Sequence, residues 1–168
     1  MEDEEDNPLP GGPPVRNHPA RKAPVIRPGR STQIFLTVCL SDADRPLTDP
    51  RVQAILHGTW AVLAFNWQVG RYVLMPDHLH CLCGPGKGPG HGLYRWVAYW
   101  KRRTNQLLGP DRALAWQRDC WDTQVRDREH LSSRWHYIRQ NPVRAGLSTS
   151  AEAWPYQGEV FPLIWYQT

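Results

Sequence analysis

Two apolar runs meet at a proline in the stretch "YVLMPDHLHCLC", residues 72 to 83. The apolar residues predict two strands, and Pro76 and Asp77 fall where a tight turn would join them as an antiparallel hairpin. Side chains alternate faces along a strand, so His78 and His80 share one face while Cys81 and Cys83 share the other. The stretch therefore predicts a hairpin that presents two imidazoles side by side.

Further strands and helices follow from the same kind of pattern on both sides of this hairpin. They are a strand within residues 31–40, a helix capped by Asp49 or Thr48 with Pro50 at its first position, a helix from Leu93 that stops at Gly109, a strand between Cys120 and Val125, and a helix from Arg128 to Asn141. This order predicts an α+β fold, an antiparallel sheet with helices packed on one face.

The length of 168 residues suits one compact domain, which we place at residues 31–168. Residues 1–30 are rich in proline and charge and predict a flexible arm. Five basic residues of this arm would allow it to contact a DNA minor groove. No apolar run reaches the roughly 18 residues that a membrane span needs, so we expect a cytoplasmic protein whose four cysteines are reduced.

Basic residues are concentrated in the second half of the chain. Between Gly84 and Ser150 there are twelve lysines and arginines against five acidic residues. Such an excess is typical of a surface that binds a polyanion, most simply nucleic acid, although an ordinary solvated surface would give the same count.

The histidine pair has more than one interpretation. Neutral imidazoles two residues apart on a strand can offer two nitrogens to one divalent ion and leave positions open, but packing or surface histidines share this spacing. Tyr137 and Asn141 are four residues apart on the last predicted helix. If that helix crosses the histidine face, Asn141 offers an oxygen to the metal and Tyr137 directs a phenol to the same place. Otherwise Tyr137 is an interfacial ring with a solvated hydroxyl.

A zinc site that joins the histidines to Cys81 and Cys83 is disfavoured, because the two pairs face opposite ways on a regular strand. Two longer motifs are more informative. "YVLMPDHLHCL" followed by "WHYIRQNPVRAGL", with "AWQRDCWDTQVRD" between them and "AEAWPY" after, resembles the REP-associated tyrosine transposases, a group of HUH single-tyrosine DNA-nicking enzymes. The similarity spans residues 31 to 157, almost all of the predicted domain.

The resemblance implies a ferredoxin-like antiparallel sheet, a catalytic C-terminal helix and activity on single-stranded DNA beside hairpins. It implies that Tyr137 is the nucleophile, that His78 and His80 bind Mg²⁺ or Mn²⁺, and that Asn141 is a third ligand. Both dimers and monomers occur in this group, so a homodimer is compatible with it. We add as candidate DNA contacts Arg95, Lys101, Arg102, Arg103, Arg134, Arg139 and Arg144.

Two other functions fit the same residues. A hairpin-specific nicking nuclease would keep the chemistry but lack strand joining. A non-catalytic module that binds single-stranded nucleic acid would use Tyr137 to stack on a base and the histidines for structure alone.

Overall fold

The computed structural model describes residues 23–26, 31–88 and 92–165. Most of the predicted N-terminal arm, residues 1–30, lies outside the described residues, so its flexibility and its DNA contact stay predictions. The boundary of the folded domain at residue 31 stays a prediction as well. No helix in the described part of the chain is both long and apolar enough to cross a membrane.

The described residues form a five-stranded antiparallel sheet with helices. In chain order the elements are β1 (Ile34–Cys39), α1 (Pro50–Val62), β2 (Trp67–Leu74), β3 (His78–Pro85), α2 (Leu93–Leu108), a 3-10 turn (Pro110–Arg112), β4 (Trp121–Gln124), α3 (Arg128–Arg139), α4 (Asn141–Arg144) and β5 (Gln157–Glu159). The strand order is β4-β1-β3-β2-β5, and all four pairings are antiparallel. The predicted α+β class is confirmed. The order from β1 to β4 is βαββαβ, as in ferredoxin-like folds.

The turn between β2 and β3 is tied to neighbouring segments through its backbone. The carbonyl of Asp77 accepts a hydrogen bond from the amide of Leu40 at 2.7 Å, and that of Pro76 accepts one from Leu47 at 2.9 Å. These bonds pair two backbone acceptors of the turn and fix the turn against the segment that follows β1. The first histidine follows the turn directly and is thereby held in place.

The two faces of the sheet pack against different helices. One face carries Leu36 and Cys81 and is covered by α1 and α2, whose Trp60 and Trp100 rings meet edge to face with centroids 5.7 Å apart. The other face carries Phe35 and packs against the third helix through the apolar residues Leu82, Leu131, Trp135, Ile138 and Trp154. Helices α1 and α2 thus share one face as predicted, and α3 lies on the histidine face.

The last helix ends earlier than the sequence pattern predicts. Asp127 caps α3 as expected, its carboxylate accepting from the amide of His130 at 2.8 Å. The helix then stops at Arg139, and Asn141 begins the separate short helix α4. The predicted end or kink of the helix before Pro142 is thus found, although α3 itself ends two residues before Asn141. The reason is Pro142, which has no N–H to donate to the carbonyl four residues earlier.

Candidate active site

His78 and His80 lie next to each other on β3. Their ring centroids are 4.9 Å apart and the ring planes meet at 79°. His78 is buried, whereas His80 is only partly buried. Cys81 and Cys83 are buried in the core on the opposite face of the sheet. The predicted alternation of faces is confirmed, and the histidines are separated from both thiols.

Each imidazole has a hydrogen-bonding partner at Nδ1. The Nδ1–H of His78 donates to the carboxylate of Asp77 at 2.7 Å. Nδ1 of His80 is hydrogen-bonded to the hydroxyl of Thr37 at 2.8 Å. Metal-binding histidines commonly use one ring nitrogen in this way, which orients the ring and leaves the other nitrogen for the ion. The arrangement leaves Nε2 of both rings to bind a ligand.

Burial and the local charges both favour the neutral form of the His80 ring. Burial lowers the pKa of His80 well below its usual value, and the nearby charges of His78, Arg134 and Arg144 lower it further. The hydrogen bond from His78 lowers the pKa of the Asp77 carboxyl. A neutral imidazole keeps a lone pair, so His80 can act as a metal ligand near neutral pH.

Helices α3 and α4 bring charged and aromatic side chains to this face. Arg134 and Arg144 lie close enough to His80 to lower its pKa. The guanidinium carbon of Arg144 lies 3.9 Å from the centroid of the Tyr137 ring, and 42% of Tyr137 is exposed. The predicted condition, a last helix across the histidine face, is met. Arg144 thus contacts Tyr137 and is also one of the charged groups near His80.

Asn141 is buried beside this arginine. Only 4% of its surface is exposed, and its side-chain oxygen accepts a hydrogen bond from Nη2 of Arg144. The same Nη2 donates to the backbone carbonyl of Tyr137 at 2.8 Å. Arg144 thus links the end of α3 to the start of α4, and it occupies the oxygen that the sequence assigned to a metal.

The donor set allows a divalent ion with open coordination positions. No group of three or more His, Cys, Asp or Glu residues suited to a metal occurs among residues 31–88 and 92–165. A site here would use two imidazole nitrogens and the amide oxygen of Asn141, after that oxygen leaves Arg144. Nitrogen and oxygen donors of this kind suit Mn²⁺ and Mg²⁺ when water or phosphate oxygens complete the shell.

The predicted DNA contacts do not form one surface. Arg134, Arg139 and Arg144 belong to the histidine side, although Arg139 also pairs with Glu152 at 2.8 Å. Arg95, Arg102 and Arg103 are exposed on α2, which packs against the opposite face of the sheet.

Lys101 does not fit the predicted DNA contact. It is only 6% exposed, and its ammonium group donates to the backbone carbonyls of residues 117 to 119 at 2.8 to 3.5 Å. Burial lowers its pKa. The ammonium group therefore fixes the loop before β4 instead of facing solvent.

Sequence reasoning missed the residues that support the site. Asp77 was assigned only to a turn, although its position directly before His78 was a signal for this role. Thr37 is paired with His80 through the register of β1 and β3, which no local pattern reveals. The contact of Arg144 with Tyr137 depends on the break between α3 and α4.

Comparison with known proteins agrees with the motifs. A curated Escherichia coli protein named REP-associated tyrosine transposase is 24% identical over 123 residues, which cover 73% of each chain. The chain is similar to the REP-associated tyrosine transposases. A Haemophilus influenzae protein, provisionally given the same name, is 29% identical over 111 residues, with 55% of this chain and 62% of that protein covered. The chain thus spans less than two thirds of the Haemophilus protein.

A solved structure extends the likeness to the fold. The structure of a REP-associated tyrosine transposase bound to a REP hairpin matches with a TM-score of 0.67 at 18% identity, covering 90% of this chain and 92% of that one. No family model matches the chain. The resemblance predicted from the two motifs is confirmed, and the fold is that of these transposases.

Proposed function

We propose that the protein nicks single-stranded DNA beside hairpins and rejoins the ends to other strands, with Tyr137 as the nucleophile. One observation carries the proposal. Tyr137 lies on α3, which packs against the sheet face that carries His78 and His80, and the guanidinium of Arg144 lies over the Tyr137 ring. The tyrosine and the histidine pair therefore belong to one side of the sheet. The names of the two curated relatives support the same activity.

The covalent step exchanges one phosphate ester for another. The phenolic oxygen of Tyr137 attacks the phosphorus, and its proton passes to solvent. The bond between phosphorus and the 3′-oxygen breaks, and that oxygen takes up a proton. The products are a 5′-phosphotyrosine and a free 3′-hydroxyl. A different 3′-hydroxyl can reverse the step, so strands can be joined without ATP.

A divalent ion completes the proposed site, with Mg²⁺ or Mn²⁺ bound by His78, His80 and Asn141. Such an ion supplies positive charge that polarises the phosphate and stabilises the departing oxygen. The phenol needs this help because its ordinary pKa is about 10. The protein contributes fixed ring orientations, through Asp77 and Thr37, that hold both imidazoles in position before the DNA arrives.

The proposed partner is single-stranded DNA that contains hairpins. The matched transposase structure is bound to a REP hairpin, which supports this choice. Arg134, Arg139 and Arg144 would contact the segment that reaches Tyr137. Arg95, Arg102 and Arg103 would contact another part of the DNA, because the sheet separates α2 from the histidines. A homodimer also stays a proposal, because both dimers and monomers occur in the resembled group.

Covalent capture tests the proposal and separates it from its rivals. With Mn²⁺ and a hairpin-containing single strand, the wild type should form a DNA adduct that survives a denaturing gel. Tyr137→Phe should form none. Tyr99→Phe is a matched control because 47% of Tyr99 is exposed, close to the value for Tyr137.

The products identify which function applies. Adduct together with strands joined to a second 3′-end supports the transferase. Adduct without joined products indicates a nicking nuclease. Tight DNA binding with no adduct indicates the non-catalytic module, and an equal adduct from Tyr137→Phe excludes this tyrosine as the nucleophile.

A further inference from the structure

We propose that Arg144 is a catalytic residue that binds the scissile phosphate and holds it beside the Tyr137 ring. This inference rests on the proposed function and adds a phosphate-binding group to it. Arg144 is an exposed residue, so DNA can reach its side chain. It also stacks on the proposed nucleophile, with 3.9 Å between the guanidinium carbon and the ring centroid.

The hydrogen bonds of Arg144 leave most of its donors available. One nitrogen, Nη2, makes both bonds to protein, to the carbonyl of Tyr137 and to the side-chain oxygen of Asn141. Nη1 and Nε then remain for an incoming ligand. Both two-nitrogen edges of a guanidinium contain Nη2, so Nη1 and Nε would each donate a separate charge-assisted hydrogen bond to a phosphate oxygen.

Two contacts fix the guanidinium before any DNA binds and remain when the Asn141 oxygen binds the proposed metal. The Tyr137 ring below the guanidinium and the Tyr137 carbonyl that accepts from Nη2 both belong to α3, so the fold sets the position of the group. A phosphate that accepts from Nη1 or Nε would then lie next to Tyr137. Arg139 offers no such arrangement, because its guanidinium pairs with the carboxylate of Glu152 at 2.8 Å.

A preorganised cation has a catalytic consequence. Negative charge accumulates on the phosphate oxygens as the phenol attacks, and a fixed donor stabilises that charge without having to reorient. Loss of one such donor typically slows a reaction about 100-fold or more. We therefore expect the single-turnover rate of adduct formation to fall about 100-fold in Arg144→Met.

A binding cycle tests the phosphate contact separately from the chemistry. In a Tyr137→Phe background, which prevents reaction, affinity is measured for an oligonucleotide with a normal linkage or a neutral methylphosphonate at the nick site. With Arg144 present, we expect neutralisation of this linkage to weaken binding about tenfold. With Arg144→Met, neutralisation should have no further effect. The exposed Arg128→Met variant is the control. Because this variant keeps Arg144, neutralisation of the linkage should weaken its binding about tenfold as well.

The outcomes are distinct. An equal effect of neutralisation with and without Arg144 overturns the phosphate contact. If the binding cycle supports the phosphate contact but Arg144→Met forms the adduct at the wild-type rate, the catalytic role of Arg144 is overturned. If the wild type forms no adduct, the proposed function fails and the catalytic role fails with it, whatever the binding cycle gives. Melting temperatures of all variants show whether a lost effect comes from unfolding.

Discussion

The hydroxyl oxygen of Thr37 lies 2.8 Å from Nδ1 of His80, its neighbour across the β1–β3 pair. The bond gives β1, the strand next to β3, a role in the candidate metal centre. It fixes one ring, while the carboxylate of Asp77 fixes the other. Two partners from different segments thus present Nε2 of both histidines.

Replacement of Thr37 by valine should weaken metal binding. Valine keeps the shape of the side chain but removes the hydroxyl, so His80 loses the group that orients it. Supporting groups of this kind typically contribute 10-fold to 100-fold in affinity, and we expect a loss of about tenfold. Mn²⁺ titration followed by electron paramagnetic resonance measures it. Thr37→Ser should bind like the wild type, and a normal affinity in Thr37→Val would exclude this role.

Removal of His80 should separate chemistry from DNA binding. His80→Ala deletes a proposed metal ligand, so adduct formation should fall to background. Affinity for the hairpin strand should change by less than about twofold, since the phosphate-binding arginines remain. His57→Ala, on the exposed side of α1, is the control and should keep full activity. Unchanged cleavage in His80→Ala would rule out the site.

We expect Lys101 to contribute to the stability of the fold and not to the affinity for DNA. Lys101→Met removes a buried ammonium group and leaves the carbonyls of residues 117–119 without this donor, and we expect a loss of about 3 kcal/mol in the free energy of unfolding. Urea denaturation measures this change. Arg103→Met, on an exposed position of the same helix, should unfold like the wild type. A large drop in DNA affinity in a stably folded Lys101→Met protein would restore the original prediction.

Local patterns predicted most of the elements because their causes are local. The carboxylate of Asp49 accepts from the amides of Arg51 and Val52, so α1 begins where the capping pattern indicated. The residues of β5, Gln157–Glu159, carry no strand pattern, and pairing with β2 is what makes them a strand. Such pairing depends on the rest of the fold.

The candidate site was predictable only in part, for the same reason. Alternation along β3 placed the two histidines together, and spacing brought Tyr137 close to Asn141. The partner of His80 depends on strand register, and Lys101 was misread because a basic residue next to a buried stripe usually faces solvent. Neither the partner of His80 nor the burial of Lys101 can be predicted from the residues next to them in the sequence.

Peptide mapping of the DNA adduct tests the role of Tyr137 most directly. After reaction with Mn²⁺ and a hairpin strand, nuclease treatment and trypsin leave a nucleotide on the modified peptide, which mass spectrometry identifies. The expected peptide is residues 135–139, WHYIR, with the nucleotide linked through phosphate to Tyr137. Attachment to His136 of that peptide, or to any residue elsewhere in the chain, would contradict the assignment.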